Sequence, residues 1–552
     1  MERQRDAARA RGTPAVGLKE VLDTLNHLGF PAPFLKADDC SAMVAAMCDP
    51  ALCASLEPAV RGKMCKFVVL LCNRQHAVFS AASLAVALET LLAFSSGAAP
   101  NDALRGLSAV LQSHAPRCTQ QYDAIVALLV RLSHPTEARS RTRQLAVGCI
   151  AVLCEKARHR AKAHHPVLFA HLVAVISVQI GATVGGGGAG GGGALSAAEM
   201  DASSAEESER LAGGATVEAA AAAAPATPKS SLRRLDERSN STRNRLLSAA
   251  TLALERIALD SNKIHGPSTA KLVRLMLTLF AHGKSGERGA AAAEVAVGLA
   301  LPPSTPRRDA SGLAPSVAER SDDGEQDLDA KVRSHALRYV AAIGSATPKL
   351  LHNQWTHGAL FQDDGTASTL TLLTGDSCRW VRAAAADALA ALYAAAPLRS
   401  WIPLALERSS PASTRSFVPA SVAVAHSAVR THAAVVRALR SEAVPTTRVR
   451  VLKCAVAVAK ATPYEKLAGF VPGPPIATAL LDGIVAHLGN TADATIHFEA
   501  VLSVAALLRV EALAAHMAPR LILEPTTVAD SADDAAAPRS LLLRDLLAFA
   551  KD

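Results

Sequence analysis

The sequence predicts an all-α protein: an α-α superhelix of the HEAT/armadillo-like solenoid type, interrupted by long disordered insertions. Three observations carry that expectation. Alanine-rich segments place apolar residues at helical spacing along much of the chain, and alanine is the residue that forms helix at least cost. Alternating Val/Ile/Thr/Tyr runs bounded by turns, the mark of strands, are scarce. A short pattern at Asp376-Ser-Cys-Arg-Trp380-Val381-Arg382 returns in the same phase elsewhere, and repetition at such a period is the signature of stacked helical repeats.

Composition narrows the function classes. A chain of 552 residues has room for three or four ordinary domains or one extended solenoid. Only 3% of residues are aromatic although 50% are hydrophobic. The 58 basic and 49 acidic residues leave a net charge of +9. That surplus favours acidic partners, but it is spread along the chain and not concentrated in the basic stripe of a nucleic-acid binder. Ten cysteines form no Cys-x-x-Cys pair, and several sit in apolar stretches as small packing groups. A reduced, intracellular setting follows, cytoplasmic or nuclear. The amino terminus lacks an apolar h-region, so no secretory signal is expected.

Taken in order, residues 1–181 read as a series of helices in a degenerate repeat array. Val16 to Leu28 is amphipathic and stops at Gly29 with Pro31 beyond it. Met64 to Leu71, Ala81 to Phe94, Ala103 to Leu111, Ile125 to Leu132 and Arg143 to Cys154 continue the series. Val167 to Val184 is apolar enough to raise the question of a membrane span, yet it carries His171 and Gln179 and is barely long enough, so a buried repeat helix is expected. Residues 182–231 form a Gly/Ala-rich flexible insertion, opening on a glycine tract at Gly185 and passing through the acidic run Asp201 to Glu209. Helical repeats resume over 232–301, with Ser239 to Ile257, Lys271 to Phe280 and Ala290 to Leu301 as helices. A second flexible loop, rich in Pro, Ser, Arg and Asp, is expected over 302–326.

From 327 to 552 the repeat grammar is clearest. Asp327 stands five residues before Val332 and six before Arg333, and Asp376 stands in the same relation to Val381 and Arg382. A third copy is read at Val449-Arg450 without the acid, and a fourth at Ile496-His497. The four Val/Ile positions lie 49, 68 and 47 residues apart, close to a HEAT period of about 40–47 with one inserted loop. The Asp suits a helix start, where free N–H groups and the positive end of the dipole favour a carboxylate. The Arg can pair with the Asp of a neighbouring repeat, giving a ladder. Asp327, Val332, Arg333, Asp376, Val381, Arg382, Val449 and Arg450 are therefore assigned to inter-repeat structure, not chemistry.

The segment Val451-Leu-Lys-Cys454 through Thr462-Pro463-Tyr464-Glu465-Lys466-Leu467, with the Ser/Phe-rich loop from Arg408 to Phe417, resembles the HEAT repeat-containing protein 6 family and its domain of unknown function. The resemblance covers 327–515, departing from the family's Val-Arg at Ile496-His497. It implies a non-enzymatic helical-repeat protein and brings no catalytic or ligand residue with it. Family members are longer, so the closing helix Arg539 to Asp552 reads either as a polar cap or as the edge of a short form.

Other constellations have plain readings. Gly283-Lys284-Ser285 has Thr278 where a phosphate-binding loop needs its first glycine, so a polar turn is expected. His159, His164 and His165 lie among Lys156, Arg158, Arg160 and Lys162 and read as a solvated basic helix end, not a metal site. Arg233, Arg234, Arg238, Arg243 and Arg245 read as an exposed edge beside the insertion. Of the three tryptophans, Trp355, Trp380 and Trp401, only Trp380 is kept as a possible partner anchor. The functional expectation is a scaffold or adaptor that binds other proteins through a solenoid surface, with no cofactor, metal, membrane or small-molecule substrate. The alternative is a basic repeat protein binding RNA or DNA phosphates.

Overall fold

A computed structural model describes residues 14–27, 37–74, 79–97, 100–134, 140–184, 229–260, 269–283, 323–351, 359–361, 367–402, 420–467, 476–489, 493–510 and 513–514. Among them the regular structure is all helix. The elements run α1 (Pro14–His27), α2 (Ala37–Met47), α3 (Pro50–Ser55), α4 (Pro58–Arg74), α5 (Ala81–Ser95), α6 (Pro100–His114), α7 (Tyr122–Ser133), α8 (Ser140–Ala157) and α9 (His165–Val184). They continue as α10 (Lys229–Asp260), α11 (Thr269–Phe280), α12 (Asp323–Ala346), α13 (Thr369–Gly375), α14 (Arg379–Ala395), α15 (Leu398–Trp401), α16 (Ala420–Ser441), α17 (Pro445–Ala461), α18 (Tyr464–Leu467), α19 (Ile476–Val485) and α20 (Ala494–Leu508).

The packing sorts these helices into two layers. In one, α2 touches α5, α5 touches α7, α7 touches α9 and α9 touches α11, and after α12 the series runs α13, α16, α19. In the other, α1, α4, α6, α8, α10, α12, α14, α17 and α20 each touch the next. Successive pairs join the layers: α5 on α6, α7 on α8, α9 on α10, α11 on α12, α13 on α14, α16 on α17 and α19 on α20. This is an α-solenoid of stacked helix pairs, in which each pair leaves an apolar face that only its neighbours can cover. The core is accordingly one continuous band, from Leu22 to Leu513.

Local chemistry explains why the helices start where they do. Proline opens α1, α3, α4, α6 and α17, at the position where its missing N–H costs nothing. Ser80 caps α5 by accepting from the Ser83 N–H at 3.1 Å. Ser368 and Thr371 form a reciprocal capping box on α13, and Asp493 caps α20 through the N–H groups of Thr495 and Ile496. α14 buries Val381, Ala385, Ala388, Leu389 and Leu392 along one stripe. Alanine lets neighbouring helices approach, and Gly344 on α12 goes further: a Cβ there would run into the side chain of Leu392 on α14.

Several boundaries differ from the sequence reading. α10 begins at Lys229, ten residues before Ser239, and α12 begins at Asp323, so Asp327 lies inside a helix and not in the turn before one. Most of the expected insertion 182–231 and loop 302–326 lies outside the described residues, as do the expected helices 290–301 and 539–552. Within α9, Leu168, Phe169, Leu172, Val175 and Ile176 are buried in the stack, and His171 bonds Ser133 Oγ at 2.7 Å. The run Ser140–Gly181 is long and apolar enough to cross a membrane by length and composition. It is broken by a 3-10 stretch at Arg158–His164, where Arg158 takes a φ of 47°. All ten cysteines are free thiols, only Cys378 being more than marginally exposed. Burial raises the pKa of Cys48, Cys65, Cys72, Cys149 and Cys154 to about 12, which makes them packing groups and not nucleophiles.

Candidate functional site

The residues singled out from the repeats meet where the second-layer helices of neighbouring repeats adjoin. Val332 on α12 and Val381 on α14 are fully buried. Arg333 is 5% exposed and Asp376, in the turn before α14, is 2% exposed. Arg333 reaches across the repeat boundary to Asp376 with two parallel bonds, Nε to Oδ2 at 3.0 Å and Nη2 to Oδ1 at 3.2 Å. Its Nη1 donates to the His282 carbonyl at 2.8 Å, and the Asp376 carboxylate also accepts from the Cys378 N–H at 2.9 Å. One arginine thus ties the end of α11 to the start of α14. Side chains around it extend the polar cluster: His282 Nε2 lies 2.9 Å from Asn244 Oδ1 and 3.3 Å from Asp329. In the turn beyond α11, Gly283 takes a φ of 77°, and a Cβ there would collide with Asp329. Gly283 is therefore a turn glycine; Lys284 and Ser285 lie outside the described residues.

The next rung uses a residue the sequence reading missed. Arg382 on α14 donates Nε to Glu442 Oε2 at 2.7 Å and Nη2 to Oε1 at 3.0 Å. Glu442 accepts from the Val444 N–H at 2.9 Å, as Asp376 does from Cys378. Burial alone would raise the Glu442 pKa, but the bonds from Arg382 and Val444 outweigh it and hold the carboxyl below its ordinary value. Arg382 is held on the other side, Nη1 donating to the Asp376 carbonyl at 2.7 Å and the Ser377 carbonyl at 3.0 Å.

Glu442 corrects the third copy of the motif. Thr447, not Val449, is the buried residue in the Val381 place. Arg448, not Arg450, takes the Arg382 place, donating Nε to the Glu442 carbonyl at 2.8 Å where Arg382 donates Nη1 to the Asp376 carbonyl. Val449 is only partly buried, and Arg450 is exposed, pairing with Asp387 on α14 at 2.8 Å. The signal was present: Glu442 stands five residues before Thr447 and six before Arg448, the spacing of Asp376, Val381 and Arg382. At the fourth copy Ile496 is buried, and His497 Nδ1 lies 2.9 Å from the Leu488 carbonyl. The side chain of Asp327 lies outside the described residues.

The segment around Tyr464 packs inward. Buried His432 lies with Nδ1 2.7 Å from the Ala428 carbonyl and Nε2 3.0 Å from the Tyr464 hydroxyl. A carbonyl only accepts, so Nδ1 carries the proton and Nε2 accepts from Tyr464. Burial lowers the His432 pKa to about 4.

Two features face solvent. Trp380 is 60% exposed, with the Arg379 guanidinium 4.8 Å from its ring centre; Trp401 is partly buried against the core, and Trp355 is outside the described residues. The second is a groove of about 770 Å³ across five successive second-layer helices. Asn26 of α1, Lys66 of α4, Arg105 of α6, Gln144 of α8 and Arg245 of α10 stand along it. Its floor is Val69, Leu145, Gly148, Val152 and Ala249. Arg245 was read only as part of an exposed edge; the side chains of Arg233, Arg234 and Arg238 lie outside the described residues. At the His159–His165 corner, His165 is buried and His164 lies edge-on to Tyr122.

A family profile described as a domain of unknown function (DUF4042) matches residues 331–517, from the first rung of the ladder to beyond α20. No curated protein sequence matches the chain. Among solved structures it is similar to the karyopherin Kap121p bound to the SUMO protease Ulp1p, at 12% identity over 92% of this chain and 45% of that one, with a TM-score of 0.33. It is also similar to importin beta, at 10% identity over 90% and 58% with a TM-score of 0.36. The Kap95:Nup1 complex follows at 11% identity over 92% and 53%, with a TM-score of 0.37. The chain spans about half the length of these structures. With overlaps this loose, the solenoid assignment rests on the helix pairs themselves.

Proposed function

We propose that the chain is a non-enzymatic scaffold or adaptor that binds other proteins through the outward face of its second helix layer. The observation that supports this most directly is the unbroken row from α1 to α20, with a groove across five of its helices. A surface built from many repeats grips a partner by area and shape, with no need of a reactive centre. Residues 327–552 act as one unit of the array, with 1–181 and 232–301 as preceding repeats and 182–231 and 302–326 as insertions between them. That last unit belongs with the HEAT repeat-containing protein 6 family; the match over 331–517 and the Lys453 to Leu467 segment support the placement. Ten unpaired, mostly buried thiols suit a reducing compartment, the cytoplasm or nucleus.

The ladder residues Arg333, Asp376, Arg382 and Glu442 set the spacing of repeats, and Trp380 serves as an anchor for a partner. Cross-linking of the purified chain in nuclease-treated cell extract tests the reading. Protein cross-links should concentrate on second-layer lysines such as Lys66 and Lys453, and Trp380→Ala should thin those near α14. Recovery that vanishes on nuclease treatment would point to the nucleic-acid alternative. Cross-links confined to the first layer would overturn the assignment of the binding face.

A further inference from the structure

The groove on α1, α4, α6, α8 and α10 carries more information than its shape. Its floor is aliphatic, and its rim is cationic. Lys66 and Arg245 have no acidic partner among the described residues, and Asp102 pairs with Arg105 at 3.0 Å. Arg141, bonded to Gln144 Oε1 at 2.6 Å, stands beside the same rim. Burial lowers its pKa, and the charges of Arg105 and Arg245 lower it further, so several cations share this rim with Asp102 as the one acid in the groove lining. Like charges gathered around a concave surface are costly alone, and an anion entering between them relieves that cost.

We propose that this groove binds an extended acidic segment of a partner protein, with carboxylates on Lys66, Arg105, Arg141 and Arg245 and aliphatic side chains on the floor. The inference rests on the scaffold reading above and adds the site and the chemistry of the partner. The dimensions fit. Five helices at about 8–10 Å between axes span roughly 32–40 Å, which an extended peptide of about 10–12 residues covers at about 3.3 Å each. Arginine suits the task because its planar fork takes a carboxylate through two bonds. A nucleic acid fits less well: no aromatic side chain lines the groove on which a base could stack.

Gly148 provides a clean probe. It lies in the floor in mid-helix, and a Cβ added there meets nothing within 4 Å. The added Cβ enters open space at the groove, so Gly148→Leu directs its side chain there, and leucine is the better helix former.

The test is fluorescence polarisation on the full chain with a labelled 12-residue Glu/Leu peptide, a Lys/Leu peptide of the same length, and a 12-mer of uridylate. The Glu/Leu peptide should bind saturably. Arg105→Glu with Arg245→Glu should weaken it at least tenfold, and so should Gly148→Leu, with melting curves of both variants at or near that of the parent chain. The Lys/Leu peptide should not bind. Absence of saturable binding, equal binding of both peptides, or indifference to all three substitutions would overturn the proposal, as would tighter binding of uridylate. The same variants taken through the cross-linking experiment separate the two readings. Unchanged second-layer cross-links with no peptide binding reject this groove and leave the scaffold standing; no protein cross-links from either chain reject the scaffold.

Discussion

Asp376→Ala probes the ladder where it is most deeply buried. The substitution removes both oxygens that hold Arg333 Nε and Nη2 and the acceptor for the Cys378 N–H. Arg333 keeps only the His282 carbonyl and stays in a site where it is 5% exposed. Stranding one member of a buried ion pair costs about 3–5 kcal/mol. In a repeat array that cost appears locally, as easier opening of the interface between α12 and α14. Hydrogen exchange of backbone amides is therefore the suitable assay. At about 1.4 kcal/mol per tenfold, amides of α14 near this boundary should exchange at least about a hundredfold faster, while those of α5 and α6 stay unchanged.

Two companions make the reasoning refutable. Asp387→Ala breaks the exposed pair with Arg450, worth less than about 1 kcal/mol, so exchange there should rise only severalfold. Arg333→Met added to Asp376→Ala removes the stranded charge and should recover much of the loss. Equal effects of Asp376→Ala and Asp387→Ala, or a double variant no better than the single, would show that the rung carries no special weight.

Other outcomes follow from the same geometry. His432 has a pKa of about 4 in the folded chain against about 6.5 unfolded, so below pH 6.5 protons favour the unfolded state. Stability from this residue should fall by about 2 kcal/mol between pH 7 and 5, and the drop should be correspondingly smaller in His432→Gln when both are melted across that range. Glu442 has a lowered pKa, so its contribution is present above its unfolded value and lost as pH falls through its folded one. Glu442→Gln should destabilise the chain at pH 7, with the gap from the parent closing as the pH drops below about 4 in matched melts. Gly344→Ala should destabilise by about 1–2 kcal/mol despite alanine's helix preference, because Leu392 must move. Gly148→Ala, facing open space, should instead stabilise by up to about 1 kcal/mol, and thermal melts of the pair distinguish the two.

Sequence pattern reached the helix pairs because each one needs an apolar stripe, and stripes such as Val381, Ala385, Ala388 and Leu392 are visible one element at a time. It failed where a helix's start depends on its neighbours. Asp327 looked like a turn residue by analogy with Asp376, but α12 continues through it, and Asp329 instead lies against α11's end at His282 and Gly283. The Val449-Arg450 reading followed the more apolar dipeptide, whereas packing placed Thr447 inward and Arg448 on Glu442. The groove left no local trace: Lys66, Arg105 and Arg245 lie far apart along the chain and share a rim only because consecutive second-layer helices lie side by side. Trp380's exposure was likewise undecidable from spacing, since it sits one residue from a fully buried valine.

The ladder also bears on how such a chain can lengthen over evolutionary time. Arg333 reaches an acid 43 residues ahead and Arg382 one 60 residues ahead, yet both make the same two-pronged bond. The additional residues include 403–419, between α15 and α16, far in sequence from the short turn that holds the acid against the next helix. Closing the longer loop costs only about 0.3 kcal/mol more. Insertions can therefore accumulate within a repeat while the stitch to its successor keeps its form, so this architecture can acquire new loops without losing its stacking.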